Sequence, residues 1–247
     1  MQFSIVTCTW NSQPFVKQAV ESILNQDCQD FEIVFVDGGS TDGTLEYLRS
    51  TPGRVTIVEN IRGGIARAMN AGIAASNGEV IAHLHSDDYY SSHQTLSRIK
   101  AAFQQSNAQW GFGRILSDVG GRELLPERYA VPRYSYRKVL MGNFIPHPAT
   151  FIRRDVFDQY GMFDESLRFA MDYEYWLRIG RDCTPFQLDE HLAVFRRHAG
   201  STTQANFGKS FNEDFRVRLR HAAWWLRPEC ALRYAVRRWR LRDRLAQ

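Results

Sequence analysis

Two adjacent carboxylates, Asp87 and Asp88, follow Ser86 directly after the apolar run Val80–Leu84. Like charges side by side repel and gain little from a strand end. A hard divalent ion such as Mg²⁺ or Mn²⁺ takes one or two carboxylates and completes its shell with phosphate oxygens, chemistry this pair can supply. A solvated turn capping the next helix is the bland alternative. A second polar cluster, Asp37-Gly38-Gly39-Ser40-Thr41-Asp42-Gly43-Thr44, closes another buried run. Its glycines admit positive φ and close approach of a ligand, Asp37 can accept from a base or ribose, and Asp42-Gly43-Thr44 can cap a following helix. An ordinary glycine-rich turn would look the same. Further on, Asp172 heads Asp172-Tyr173-Glu174, acids that also suit a helix N-terminus. His83 and His85 alternate about Leu84 and therefore share a strand face, with His85 directed toward any site at the strand's end. His147 sits between two prolines and His198 follows Arg196-Arg197; by default each is a surface or packing histidine.

These residues need a scaffold, and the first hundred positions describe one. Phe3–Thr9, Glu32–Asp37, Val55–Glu59 and Val80–Leu84 read as strands. Between them Phe15–Leu24 and Ile65–Ala75 repeat apolar residues near helical period. Successive βα units predict a mostly parallel sheet covered by helices, and ligands of such sheets sit at the carboxyl ends of the strands. The polar clusters occupy those ends, together with Thr9-Trp10-Asn11-Ser12. From about Trp110 the alternation breaks. Trp110–Val119 with Gly120-Gly121 predicts a hairpin strand, Pro126–Asn143 reads as irregular, Asp172–Ile179 as a short helix and Phe186–Phe195 as extended, continuing the same sheet with an acceptor-side face. Residues 1–205 are thus expected to form one domain, in two halves over 1–105 and 106–205.

Residues 206–247 form a basic helical tail. Pro228 is expected to stop its first helix at about Arg227. In the second, Leu232, Ala235, Val236 and Trp239 make an apolar stripe, and Arg233, Arg237, Arg240 and Arg244 another face. Such a helix suits an anionic membrane surface; packing of Trp224, Trp225 and Trp239 on the body is the alternative.

Length and composition fit one globular domain, or one domain with a short annex. The chain has 247 residues, 44% hydrophobic and 23% charged, which excludes disordered, collagenous and disulfide-scaffold classes. Its four cysteines show no ligand or framework spacing, which suits a reducing, cytoplasmic compartment. No run reaches the roughly 18 apolar residues of a membrane span, and Met1–Trp10 lacks a basic leader. The net charge of +4 is uneven: residues 216–247 hold ten Lys+Arg against two Asp+Glu, and the rest 21 against 25. Arginine outnumbers lysine 27 to 4, a bias that suits anionic ligands or reflects base composition of the genome.

Taken in order, Val6-Thr7-Cys8-Thr9-Trp10-Asn11, Val36 to Thr44, Ser86-Asp87-Asp88, Pro146-His147-Pro148-Ala149-Thr150, Tyr160 to Glu165 and Ala170 to Arg178 resemble the family 2 glycosyltransferases. The likeness is to bacterial members that build polysaccharide and O-antigen units. It implies the GT-A nucleotide-diphospho-sugar transferase fold, a Rossmann-like mixed sheet flanked by helices, here with the helical tail added. It also implies an inverting enzyme that moves a sugar from a nucleoside-diphosphate donor to a hydroxyl of a glycan or polyprenyl-linked acceptor. By that resemblance Thr7, Thr9, Asn11, Asp37, Gly39 and Asp87 hold the donor. Asp88, joined by His198, holds Mn²⁺ or Mg²⁺, and Asp172 is the general base, with His147 and Glu174 on the acceptor side. The family's arginine before the fourth strand is replaced in Ala68-Met69-Asn70, leaving Arg62 or Arg67 to meet phosphate. Asp37-Gly38 lacks the family's second acid, so the base of the donor stays open among uridine, guanosine and thymidine, and Met171-Asp172 lacks the preceding glutamate, which alters the surroundings of the general base and not its identity. The expected place is cytoplasmic, peripheral at an inner membrane through residues 216–247.

Rival readings fare less well. Thr9 to Pro14 contains no glycine, against a dinucleotide oxidoreductase, and no G-K-[ST] follows, against a P-loop enzyme. A sugar nucleotidyltransferase would open with a glycine-rich basic loop. Nucleic acid is not an expected partner, because the body is not basic. A degenerate transferase domain serving as a membrane-associated scaffold or nucleotide-binding module is the rival from another class; the presence of all four aspartates speaks against it.

Overall fold

A computed structural model describes residues 1–121, 124–126, 131–198 and 206–242. Strands β1 (Phe3–Thr9), β2 (Phe31–Asp37), β3 (Val55–Val58) and β4 (Val80–His83) run parallel in the order β3-β2-β1-β4. All seven positions of β2 are buried, as a strand covered on both faces requires. Beneath one face, Phe3, Ile5, Ile33 and Phe35 meet Val16, Val20 and Ile23 of α1 (Gln13–Leu24) and Leu96, Ile99 and Phe103 of α4 (Thr95–Gln105). On the other, Val6, Val34 and Val36 meet Ala66, Met69 and Ile73 of α3 (Ile65–Ala75). Helix α3 approaches closely because Gly72 faces Val6; a Cβ there would lie 2.3 Å from Val6 Cγ1. The short α2 (Thr44–Arg49) follows the glycine-rich cluster.

Beyond β4 the sheet becomes mixed. Strand β8 (Thr150–Arg153) pairs antiparallel to β4 and β6 (Trp110–Val119) antiparallel to β8. Next comes β9 (Phe186–Arg197), parallel to β6, and β5 (Tyr89–Tyr90) closes the edge antiparallel to β9. The expected hairpin is present: β7 (Leu124–Pro126) returns along the end of β6. Helices α6 (Arg154–Tyr160) and α7 (Met171–Ile179) complete this half. Its aromatic core includes Trp110 stacked on Trp176 at a centroid distance of 5.6 Å.

Three local readings change. The segment expected to be irregular contains α5 (Tyr136–Met141), started by Ser135, whose side chain accepts from the Lys138 amide. That helix is too short for periodicity to reveal. In the tail, α8 (Phe207–His221) ends before Pro228, and Pro228 falls in the first turn of α9 (Arg227–Arg240), after a 3₁₀ turn at Trp224–Leu226. A proline costs nothing there, because first-turn amides have no intrahelical acceptor. The tryptophans of the tail do not pack on the body: Trp224, Trp225 and Trp239 are exposed.

Helix α8 belongs to the core. Val217, Ala222 and Cys230 share a cluster with Tyr173, Trp176 and Leu177 of α7. Helix α7 has no side-chain cap from Ala170, its own N-cap residue. Glu213 of α8 instead holds the segment that leads into α7, taking the amides of Arg168, Phe169 and Ala170 at 3.1, 2.5 and 2.7 Å. The entry to the helix that carries Asp172 is thus anchored from the tail.

Candidate active site

The loops after β1 and β2 are wired to each other. Asp37, fully buried, accepts from Thr9 Oγ1 at 2.9 Å, the Gly39 and Ser40 amides at 2.8 Å each, and Ser40 Oγ at 2.6 Å. Burial alone would raise its pKa; these donors outweigh burial and hold the carboxyl below the usual range. Asn11, at φ 47°, accepts from the Thr41 amide and donates its own amide to Ser40 Oγ, both at 2.9 Å. Asp42 receives the Gln13 and Thr44 amides and Thr44 Oγ1. The β4 end is tied in by Ser12 Oγ and Ser86 Oγ, 2.7 Å apart. Gly39 needs its positive φ of 90°, and a Cβ there would meet Arg62 Nη2 at 3.0 Å. Arg62 therefore lies over this loop, whereas Arg67 sits at Gly63, and both are exposed.

Asp87 and Asp88 have different surroundings. Asp88 is buried and accepts the Arg196 amide at 3.1 Å. Burial, then repulsion from Asp87, pushes its carboxyl well above the usual range. Asp87 meets His198 Nε2 at 2.9 Å, and that ring packs on Phe15 at 4.6 Å. A carboxylate pair with a nearby imidazole, one acid strained by unrelieved charge, is a fitting donor set for a hard divalent ion. No group of three ligating side chains gathers among the described residues. None is needed by an ion that completes its shell with phosphate oxygens.

The expected face shared by His83 and His85 exists, and both rings meet His147, at centroid distances of 5.2 and 5.3 Å. Phe163 and Trp176 enclose His147 further, at 5.9 and 5.8 Å. Within this trio His83 Nε2, His85 Nδ1 and His147 Nε2 are buried without a hydrogen-bond partner. Burial and then neighbouring histidines lower the pKa of His83 to about 3 and that of His147 well below normal, so both are neutral near pH 7. His147 Nδ1 lies 4.0 Å from Asp172 Oδ2. Asp172 accepts its neighbour's amide, Tyr173 N, at 2.6 Å. Burial raises its pKa to about 6, against the lowering effect of that amide and of Asn143. The chain of contacts from His85 through His147 to Asp172 joins the aspartate-bearing strand end to the N-terminus of α7.

Two expected site residues lie elsewhere. Thr7 is fully buried within β1, its Oγ1 unpartnered. Glu174 lies two residues past Asp172, on another face of α7, and is committed to Arg178 and His221, the latter at 3.1 Å. Burial opposes its ionisation, but His221 and Arg178 bring its pKa down to about 2. Sequence reasoning also passed over Trp10, 70% exposed and lying against Gly38 at the mouth of the loops. Arg196 was missed as well: it is buried between Phe15 and Tyr89, with its Nε 3.7 Å from Asp118. Neither has a periodic or spacing signature.

Residues 4–161 match the family described as Glycosyl transferase family 2. The chain belongs to that family. It is 27% identical over 224 residues to the uncharacterized glycosyltransferase EpsJ of Bacillus subtilis, an alignment that takes in 85% of this chain and 65% of EpsJ. The chain thus spans about two thirds of that relative's length. Among solved structures, S. aureus TarS 1–349 in complex with UDP-GlcNAc superposes with a TM-score of 0.73 at 20% identity, over 90% of this chain and 66% of TarS 1–349. The mannosyltransferase PcManGT of Pyrobaculum calidifontis, in complex with GDP-Man and Mn²⁺, gives 0.71 at 17% identity, over 95% and 74%. These likenesses identify the mixed sheet of the family 2 chain as the GT-A fold.

Proposed function

We propose that this family 2 chain transfers one sugar from a nucleoside-diphosphate donor to a hydroxyl of a glycan or polyprenyl-linked acceptor in polysaccharide synthesis, inverting the anomeric centre. The observation that carries the reading is the contact chain between Asp88's strand end and Asp172 through His85 and His147. It links a group able to take a proton, through two histidine rings, to a strand end able to hold a diphosphate. The polar loops of β1 and β2, with the exposed face of Trp10, would receive the nucleoside. Arg62 would meet phosphate. Asp88 and Asp87 would hold Mg²⁺ or Mn²⁺, with His198 orienting Asp87. That ion supplies neutralisation of the charge on the departing diphosphate.

In the transfer step the acceptor oxygen forms a bond to the anomeric carbon as its proton passes to Asp172. The bond from that carbon to the diphosphate oxygen breaks, and the nucleoside diphosphate leaves with the electron pair. A base with a pKa of about 6 is deprotonated at neutral pH while remaining a better acceptor than an ordinary aspartate. Neutral His147 beside it adds no positive charge that would lower that basicity. The relatives' bound donors, UDP-GlcNAc and GDP-Man, support a sugar nucleotide here without choosing its base.

The test is thermal-shift stabilisation by a panel of nucleoside diphosphates with Mn²⁺ or Mg²⁺, for wild type and Asp88→Ala. The expected result is a metal-dependent rise with one nucleotide that the variant loses, since a ligand binding the native state stabilises it. No rise with any nucleotide would favour the scaffold reading.

A further inference from the structure

Helix α9 is packed on one side only. Cys230 is fully buried, Tyr234 stacks on Phe215 and Phe211 of α8 at 4.0 and 5.0 Å, and Arg237 lies over Phe211 at 5.7 Å. At about 100° per residue, these three occupy an arc of roughly 60°. Leu232, Val236 and Trp239 fall in a similar arc on the opposite side, and Trp225 in the preceding turn is exposed as well. Their exposures are 66, 41, 67 and 63%. Arg233 and Arg240 border this stripe on one edge, whereas Arg238 lies nearer the packed face, its guanidinium donating to the Tyr234 hydroxyl at 3.4 Å. The only acid of α9, Glu229, is held by Arg137 and Arg233 at 3.0 Å each.

An apolar ridge with tryptophans, edged by guanidinium groups and turned directly away from the packed face, is built for a boundary between hydrocarbon and anions. We propose that this face of α9 seats the chain on an anionic lipid bilayer. The ridge would enter the headgroup and acyl boundary, with the flanking arginines paired to lipid phosphates. Charge complementarity selects this occupant and its orientation: residues 216–247 carry ten basic against two acidic side chains, and the rest of the chain has an acidic excess. An anionic surface attracts the tail and repels the body. Because Glu213 of α8 holds the segment that leads into α7, docking through α9 would also hold Asp172 at a fixed height above the surface. The proposal stands on the tail alone and does not depend on the transfer reaction.

The test is flotation of the full chain with phosphatidylcholine vesicles and with vesicles containing about one third phosphatidylglycerol, for wild type, Trp225→Ser/Trp239→Ser and Arg233→Glu/Arg240→Glu. Wild type is expected to float with the anionic vesicles and to be released by salt. Each tryptophan removed should cost on the order of tenfold in partitioning, and the arginine variant should lose anionic binding, with unchanged melting midpoints in both. Four results would overturn the proposal. The first is no flotation with either vesicle, and the second is equal flotation of wild type and the tryptophan variant. The third is a wild-type dimer that the tryptophan variant dissolves, which would make a second copy the occupant. Retention by nucleic acid that survives loss of both tryptophans, without flotation, would also overturn it.

Discussion

The two halves of the site treat their polar atoms in opposite ways. In the loops after β1 and β2, side chains are spent on one another: four donors fill Asp37, and Asn11, Ser12, Asp42 and Thr44 close the rest. Around the N-terminus of α7, three histidine nitrogens are buried without partners and Asp172 is held above its usual pKa. A satisfied network is rigid and presents a fixed surface for a ligand. Burial that keeps the histidines neutral also raises the proton affinity of Asp172, which is what transfer of a proton to it requires. Under the proposed function, the first region would bind and the second would carry the chemistry.

Breaking the satisfied half should cost stability. Asp37→Ala strands the donors of Thr9, Gly39 and Ser40, and an expected loss of about 3 kcal/mol follows from charged hydrogen bonds of this kind; denaturant unfolding without nucleotide measures it. The sign with pH follows from the lowered pKa of Asp37. Its stabilisation is present above the unfolded value of 3.8 and disappears as pH falls through the folded one. Breaking the unsatisfied half should do the reverse. His147→Phe keeps the ring packing against Phe163 and Trp176 while removing an orphaned nitrogen. Stability is expected to hold or to rise by up to about 1 kcal/mol, and turnover to fall about tenfold, as befits a group that positions Asp172. A large loss of stability there would erase the contrast.

Much of this was legible in sequence, for physical reasons. The runs of β1, β2 and β4 are β-branched and short, so their strands and the polar ends that form the site follow directly. Alternation about Leu84 placed His83 and His85 on one face; that His147 completes the trio depends on β8 pairing with β4, a contact no local pattern encodes. Asp37 was expected to accept from a ligand, and an Asp-Gly-Gly-Ser loop reads alike whether its carboxylate faces outward or, as here, is filled by its own loop. Glu213 was invisible because an acid on an amphipathic helix looks solvated until its partner, the segment that leads into α7, is known. The tail's apolar stripe was legible from its period, but its exposure was not, since the same period serves a buried helix equally well.

The most direct test of the division is the pH dependence of kcat/KM, with donor affinity measured alongside, in wild type and Asp172→Asn. Asp172 acts deprotonated, so wild-type kcat/KM should fall about tenfold per pH unit below a break near 6. The variant should bind donor as wild type does, turn over at least about a hundredfold more slowly, and show no break near 6. A variant that keeps its rate or its break, or that loses donor binding together with turnover, would contradict the account.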